Sequence, residues 1–267
     1  MDIPETPPNQ MSFWEHLQEL RVRLIRAIVF VAGAFLVIYS FPFGLLKGLP
    51  PLRFLLWKWA QMPFLEAMVR QTGKTASELQ PWAFTDLTEP FFSLMRLSFW
   101  AALFISAPFV FYQVWAFIRP GLHPRERRFV VPFVVVTSGM FLLGAAFAYF
   151  QAFRFLGDIL FQEARLAGLR ANLRLDSYLD LFLYTLLAAG LMFELPVLSF
   201  FLARFRVLTA GWMLRHWRHA ATLIIIAAAF LTPGDVLVTT IFFSVVLLAL
   251  YMLSVLVAWF AAPREAP

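Results

Sequence analysis

The chain has 267 residues, of which 61% are hydrophobic, 32 are Phe and only 14% are charged. A soluble domain carries roughly 45–50% apolar and about 25% charged residues, so this composition excludes a water-soluble globular fold. The lack of cysteine excludes disulfides, thiolate metal sites and cysteine nucleophiles, and the formal charge of +6 must be located by membrane side before it can be interpreted.

In chain order, Ser12-Phe13-Trp14-Glu15 places an N-cap residue three positions before a Glu, a capping box. Phe13, Trp14, Leu17, Leu20 and Leu24 then recur at helical spacing. Residues 12–23 therefore read as an amphipathic helix at the membrane surface, with Glu15 and Glu19 on its other face. Glu19 has two readings: an ion pair with Arg23 four residues on, or part of an acidic patch open to a basic ligand.

Six apolar runs follow, at about 24–46, 91–118, 129–150, 179–202, 213–231 and 236–260. Crossing a hydrocarbon core takes roughly 20 helical residues. The runs are continuous rather than alternating, which excludes a β-barrel. The predicted class is an all-α integral membrane protein, a single polytopic domain of six spans. The fifth run is short, with an uninterrupted core only at Ala220–Leu231. It either borrows length from Gly211–His219 or sits where the bilayer is thinned. Thr232-Pro233-Gly234-Asp235 reads as a tight turn to the sixth run, which makes Pro233 and Asp235 structural turn residues. Pro108, Pro132 and Pro196 inside spans favour kinks, predicting a concave wall rather than a parallel bundle.

Sorted by side, twelve basic and six acidic residues fall on the side of the N terminus. The opposite side, made of the loops at 47–90 and 151–178 with Asp180 and Asp235, holds nine of each. Arg96 and Glu194, inside spans, cancel. The excess is thus confined to one side, and the positive-inside rule places both termini in the cytoplasm. The first residues carry Asp2 and Glu5 rather than a basic stretch, so the first span is expected to be retained.

Two features stand out. The loop Arg119–Arg128 sets Glu126 among four Arg, where the Arg fix orientation and Glu126 eases their repulsion. Glu194 lies about nine residues, roughly 14 Å, into the fourth span, where an ionisable group is by default a functional-site candidate. Arg96 is at the opposite interface by depth and is excluded as its counter-ion. Gln113, Thr137 and Ser138 are the polar partners at matching depth, and Glu194 is expected to face protein or a wet groove, either hydrogen-bonded or protonated. No catalytic set, phosphate-binding Gly loop or metal-ligand cluster is legible. An enzyme is disfavoured, and no cofactor, metal or nucleic-acid partner is expected.

Taken together, the stretches His16-Leu17-Gln18-Glu19-Leu20-Arg21-Val22-Arg23-Leu24, Glu89-Pro90-Phe91-Phe92, Tyr112-Gln113-Val114-Trp115-Ala116-Phe117-Ile118-Arg119-Pro120-Gly121-Leu122, Glu126-Arg127-Arg128, Phe193-Glu194-Leu195-Pro196-Val197 and Leu231-Thr232-Pro233-Gly234-Asp235-Val236 resemble the TatC family. These are multi-spanning receptor subunits of the twin-arginine protein translocase, and the resemblance runs in order from about residue 12 to 260. It implies binding of twin-arginine signal peptides of folded cargo at the cytoplasmic face, and assembly of TatA-type and TatB-type single-span subunits. Export would be driven by the proton-motive force. It further implies self-association in a larger complex, contact with membrane lipid, and residence in a bacterial or archaeal plasma (inner) membrane. By the same resemblance the signal-binding positions are Glu19 and Glu126 with Phe117, flanked by Arg21 and Arg127, and Glu194 faces a partner's span or the inserted signal. A carboxylate pair suits two adjacent guanidinium groups, each of which it can accept in bidentate fashion. Two departures are visible. The loop at 47–90 has an extra stretch around Trp57–Gln80, expected to form an external helical cap, and Pro233-Gly234-Asp235 stands where the family often has two prolines. The rival reading is a proton-coupled secondary transporter using Glu194, which would require internal repeats that the sequence does not show.

Overall fold

The computed structural model describes residues 13–41, 50–73, 82–121, 130–168, 173–231 and 237–261. The fold is helical: α1 (Phe13–Ser40), α2 (Leu52–Thr72), α3 (Glu89–Ile118), α4 (Val130–Phe147), α5 (Phe153–Leu166), α6 (Leu175–Met192), α7 (Leu195–Arg204), α8 (Ala210–Arg215), α9 (Trp217–Leu231) and α10 (Leu237–Ala261). Two short strands, β1 (Trp82–Ala83) and β2 (Leu173–Arg174), pair in parallel just before α3 and α6.

Five helical segments are long and apolar enough to cross a membrane, with Trp217–Phe230 as a shorter apolar helix. Their outward side chains are large and apolar, for example Leu24, Ile28, Leu36 and Val37 on α1. Water would not tolerate such a surface, whereas lipid tails do. The amphipathic segment and first span expected separately form one helix, α1, which ends at Ser40, short of 46; Ser12 and residues 42–49 lie outside the described residues. The fourth span, Leu175–Arg204, is one helical run with a local irregularity near Pro196. Phe193 and Glu194 form a turn between α6 and α7, and Pro196 follows at the start of α7, where its missing N–H is tolerated. By contrast, α3 runs on through Pro108. The fifth run is interrupted: α8 stops at His216 and α9 starts at Trp217, so no straight helix spans 213–231. The apolar helix keeps 15 residues, about 22 Å at 1.5 Å each.

Antiparallel packing of α1 on α3 is recorded by a ladder of aromatic pairs along the seam. Going down α1 and up α3, these are His16–Phe117, Phe30–Phe109, Phe35–Phe99 and Tyr39–Phe91. Helices α4 and α6 cross at small residues, because a Cβ on Gly144 would stand 2.4 Å from the Ala189 carbonyl oxygen and one on Gly190 would meet the Phe141 ring. Within a membrane, where apolar burial gives no driving force between helices, such close approach is the main source of attraction.

The third span does not stop at the membrane. It continues from α4 through a π-helical turn, Ala148–Ala152, into α5, a run of 37 residues or about 55 Å. Its projecting half packs against α2, so the segments expected as loops at 47–90 and 151–178 are largely a helical cap. Here the hydrophobic effect does operate. Phe64, Tyr149, Phe153, Tyr178 and Phe182 are buried together, and a Cβ on Gly157 would meet the Ala67 methyl at 2.7 Å. Ion pairs Arg70–Asp158 (3.1 Å) and Arg154–Glu66 (2.8 Å) fasten the rim.

Candidate functional site

The antiparallel seam carries the end of α3 to the start of α1. Phe117, in the last turn of α3, lies against His16, the rings stacked with centroids 4.3 Å apart and 20° between planes. Glu19 is one turn beyond His16 on the same helix. It accepts from Arg23 Nε at 2.9 Å and Nη2 at 2.6 Å, both on Oε1. The i,i+4 pair of the first reading therefore exists, but it uses only one carboxylate oxygen. Oε2 is buried without a hydrogen-bond partner. Beside it opens a groove of about 350 Å³ lined by Glu15, Gln18, Glu19, Val22, Arg23 and Arg26. Arg21 projects to solvent. Glu126 and Arg127, and likewise the turn residues Pro233 and Asp235, lie outside the described residues.

Glu194 sits at the turn between α6 and α7, only 6% exposed, with its backbone carbonyl accepting from Leu198 N at 2.8 Å. Neither carboxyl oxygen has a hydrogen-bond partner, so Glu194 faces protein as expected but makes no bond to the polar residues at its depth. Gln113, Thr137 and Ser138 are buried as expected, and Gln113 Oε1, Thr137 Oγ1 and Ser138 Oγ are unsatisfied in the same way. Their elements converge: Trp115 of α3, Val130 and Val134 of α4, and Val197 and Phe201 of α7 form one packed cluster. Each of the four polar residues lies within about a turn of a member of that cluster. Unsatisfied buried polar atoms cost about 1–3 kcal/mol each and are uncommon in native structures. Arg96 has its own partner, Asp180 at the start of α6, well removed from Glu194.

Two further polar groups position this frame and were not assigned roles from sequence. Glu89, 8% exposed, accepts from Thr85 N (2.8 Å) and Thr85 Oγ1 (3.2 Å) with one oxygen and from Asp176 N (3.1 Å) with the other. It thereby ties the entry of α3 to the first turn of α6. The second is Tyr149, whose hydroxyl reaches the Trp59 carbonyl in α2. A Glu before Pro at a helix start is a visible signal for the first; nothing local in sequence signals the second.

Fold and site define a multi-pass helical membrane protein, marked by a groove that holds two carboxylates and two guanidinium groups at one end of its first helix and by buried, unsatisfied polar groups on its spans. The family model described as "Sec-independent protein translocase protein (TatC)" matches residues 15–245. The chain is 35% identical to the Sec-independent protein translocase protein TatC of Koribacter versatilis over 96% of this chain and 88% of that one. It is 36% identical to the TatC protein of Helicobacter pylori, over 93% and 87%. A crystal structure of the twin-arginine translocase receptor TatC superposes with a TM-score of 0.73 at 25% identity, covering 92% of this chain and 99% of that one. The chain belongs to the TatC family, and it is a protein-transport component rather than an enzyme.

Proposed function

We propose that this chain is the receptor of a twin-arginine translocase, with the groove at the start of α1 as the contact for the paired arginines of a signal peptide. The observation that carries the reading is the Glu19 carboxylate. One oxygen is held by Arg23, while the other is buried and unpartnered beside an open groove. A guanidinium satisfies such an oxygen with a charge-assisted bond. Phe117, held at the same corner by His16, offers a flat apolar face for the residues next to the arginines, and Glu126 supplies the second carboxylate. Glu194, Gln113, Thr137 and Ser138 then act after recognition, receiving a polar group from a TatA-type or TatB-type span or from the inserted signal. Burial of an unpaired carboxyl group is costly, so a polar partner arriving at Glu194 is favoured. In this reading both termini are cytoplasmic, the membrane is the bacterial or archaeal inner membrane, several copies associate, and the proton-motive force drives transport.

The test is competition binding of a synthetic twin-arginine peptide to the purified, detergent-held chain. Binding should be lost when the peptide's Arg-Arg becomes Lys-Lys, and lost again in the Glu19→Ala, Glu126→Ala double variant. Persistence of binding in either case would count decisively against the receptor reading.

A further inference from the structure

Between Leu195 and Leu231 the sequence contains no acidic residue, yet four Arg fall in its middle, at 204, 206, 215 and 218. All four side chains are exposed, and among the described residues none pairs with a carboxylate. Elsewhere Arg23, Arg70, Arg96, Arg154 and Arg174 each hold one. We propose that this segment, joining α7 to α9, is a binding surface for the headgroups of anionic phospholipids.

The first support is that the surface is a fixed platform rather than a loose loop. Val207 N and Leu208 N both donate to the Leu202 carbonyl, at 2.8 and 3.0 Å, which turns the chain sharply. Arg206 is held at φ +58°, a conformation costly for a residue with a Cβ. The Thr209 hydroxyl caps α8, accepting from Trp212 N at 3.2 Å. Met213 is 4% exposed and packs with Ala203, Val255 and Ala258, and the Tyr251 hydroxyl of α10 donates to its carbonyl at 2.8 Å. The segment is thus pinned to α10 through Met213, while all four Arg side chains stay exposed.

Next comes depth. Arg204 is the last residue of a membrane-spanning segment and Trp217 the first of a short apolar helix, so the segment lies at the membrane surface. The chemistry there alternates. Exposed Trp212 (54%) and Trp217 (46%) stand among the exposed guanidinium groups, and Arg218 lies over the Trp217 ring at 6.0 Å. Indole rings belong at the headgroup level, and guanidinium groups bind phosphate in bidentate fashion. An acidic protein would satisfy the charges but leave the interleaved rings wet; a layer of anionic phosphodiesters above acyl chains satisfies both. A purely topogenic role would require only positive charge during insertion, not a pinned scaffold. The inference rests on the membrane-spanning fold and not on the receptor reading, so either can fail alone.

The experiment places the full chain in nanodiscs of phosphatidylcholine containing a minor fraction of spin-labelled phosphatidylglycerol. The enrichment of the motionally restricted anionic lipid over a spin-labelled phosphatidylcholine is then read. The native chain should enrich phosphatidylglycerol, and the enrichment should fall as salt is raised, since exposed charges are screened over about 8–10 Å at physiological ionic strength. Arg204→Gln with Arg206→Gln, and Arg215→Gln with Arg218→Gln, should each lower it, by at most about fivefold per Arg at ~1 kcal/mol per basic residue. Arg165→Gln, on the external cap, should leave it unchanged. Insertion of each variant can be verified with a single introduced cysteine, because the chain has none. Enrichment indifferent to salt in the native chain, or unchanged in both double variants, overturns the proposal.

Discussion

The Tyr149 hydroxyl donates to the Trp59 carbonyl at 2.9 Å, and Trp59 is the residue four before Pro63. Within α2 that carbonyl would accept from the N–H of residue 63, which proline does not have. Tyr149 therefore makes, from the π-helical turn of another element, the bond that α2 cannot make for itself. One residue on, the Tyr178 hydroxyl donates to the Ala60 carbonyl at 2.6 Å, and the Tyr149 and Trp59 rings stack with centroids 4.0 Å apart. Tyr149→Phe keeps the stack and orphans the carbonyl, so it should destabilise the purified protein by about 1–3 kcal/mol, read as a drop in melting temperature in detergent. In a Pro63→Ala background, which restores the N–H, the same change should cost much less. Equal costs in both backgrounds would show that the hydroxyl is not compensating for the proline.

The two glycines of α4 make opposite predictions. Gly144→Ala must push its methyl into the backbone of α6 at Ala189 and should destabilise by about 1–3 kcal/mol, whereas nothing lies within 4 Å of a Cβ at Gly139. Gly139→Ala should be neutral or stabilising by up to about 1 kcal/mol, the helix-propensity difference. Thermal unfolding of the two single variants side by side checks this, and a similar loss in both would mean that the α4–α6 crossing is looser than described.

Glu19 and Arg23 should separate in binding although they touch. Removing the carboxylate with Glu19→Gln should weaken signal-peptide affinity by roughly 1.5–3 kcal/mol, the worth of a hydrogen bond to a charged group, or about ten- to over a hundredfold. Arg23→Gln releases the second oxygen to the ligand and should leave affinity equal or higher. If titration of a labelled peptide instead shows both variants equally impaired, the pair is a structural brace and the ligand binds elsewhere.

At Glu194 the two carboxyl oxygens are buried with no cation recorded against them, which predicts that a neutral isostere suffices. Glu194→Gln should retain export of a folded reporter, and Glu194→Ala should abolish it while peptide binding persists. Loss of binding together with export in the Ala variant would end the division between recognition at α1 and later action at Glu194. Loss of export in the Gln variant would mean that the charge itself is needed.

What the sequence determined by itself follows from chemistry that acts locally or by side. The apolar runs at lengths near 20 residues, the basic excess on one side, the proline that follows Glu194 inside the fourth span and the i,i+4 spacing of Glu19 and Arg23 are all written in adjacent residues. So is the family, since its motifs are short strings. The matching depth of Glu194, Gln113, Thr137 and Ser138 was also legible, because depth along a span is a count of residues, but not which face each occupies. Only the tertiary structure decided which of these groups meet. No periodicity announces that Tyr149 finds Trp59 across 90 positions, that His16 lies on Phe117, or that Glu89 reaches the first turn of α6. Nor could spacing tell that the cap formed by α2 also draws in α5, or that α8 and α9 part at His216. Such contacts depend on how rigid helices cross, which is set by small residues at close approach and by carbonyls freed by proline. A helix satisfies its own backbone wherever it can. Partners become specific only where it fails to, and the identity of the group that steps in is a property of three dimensions.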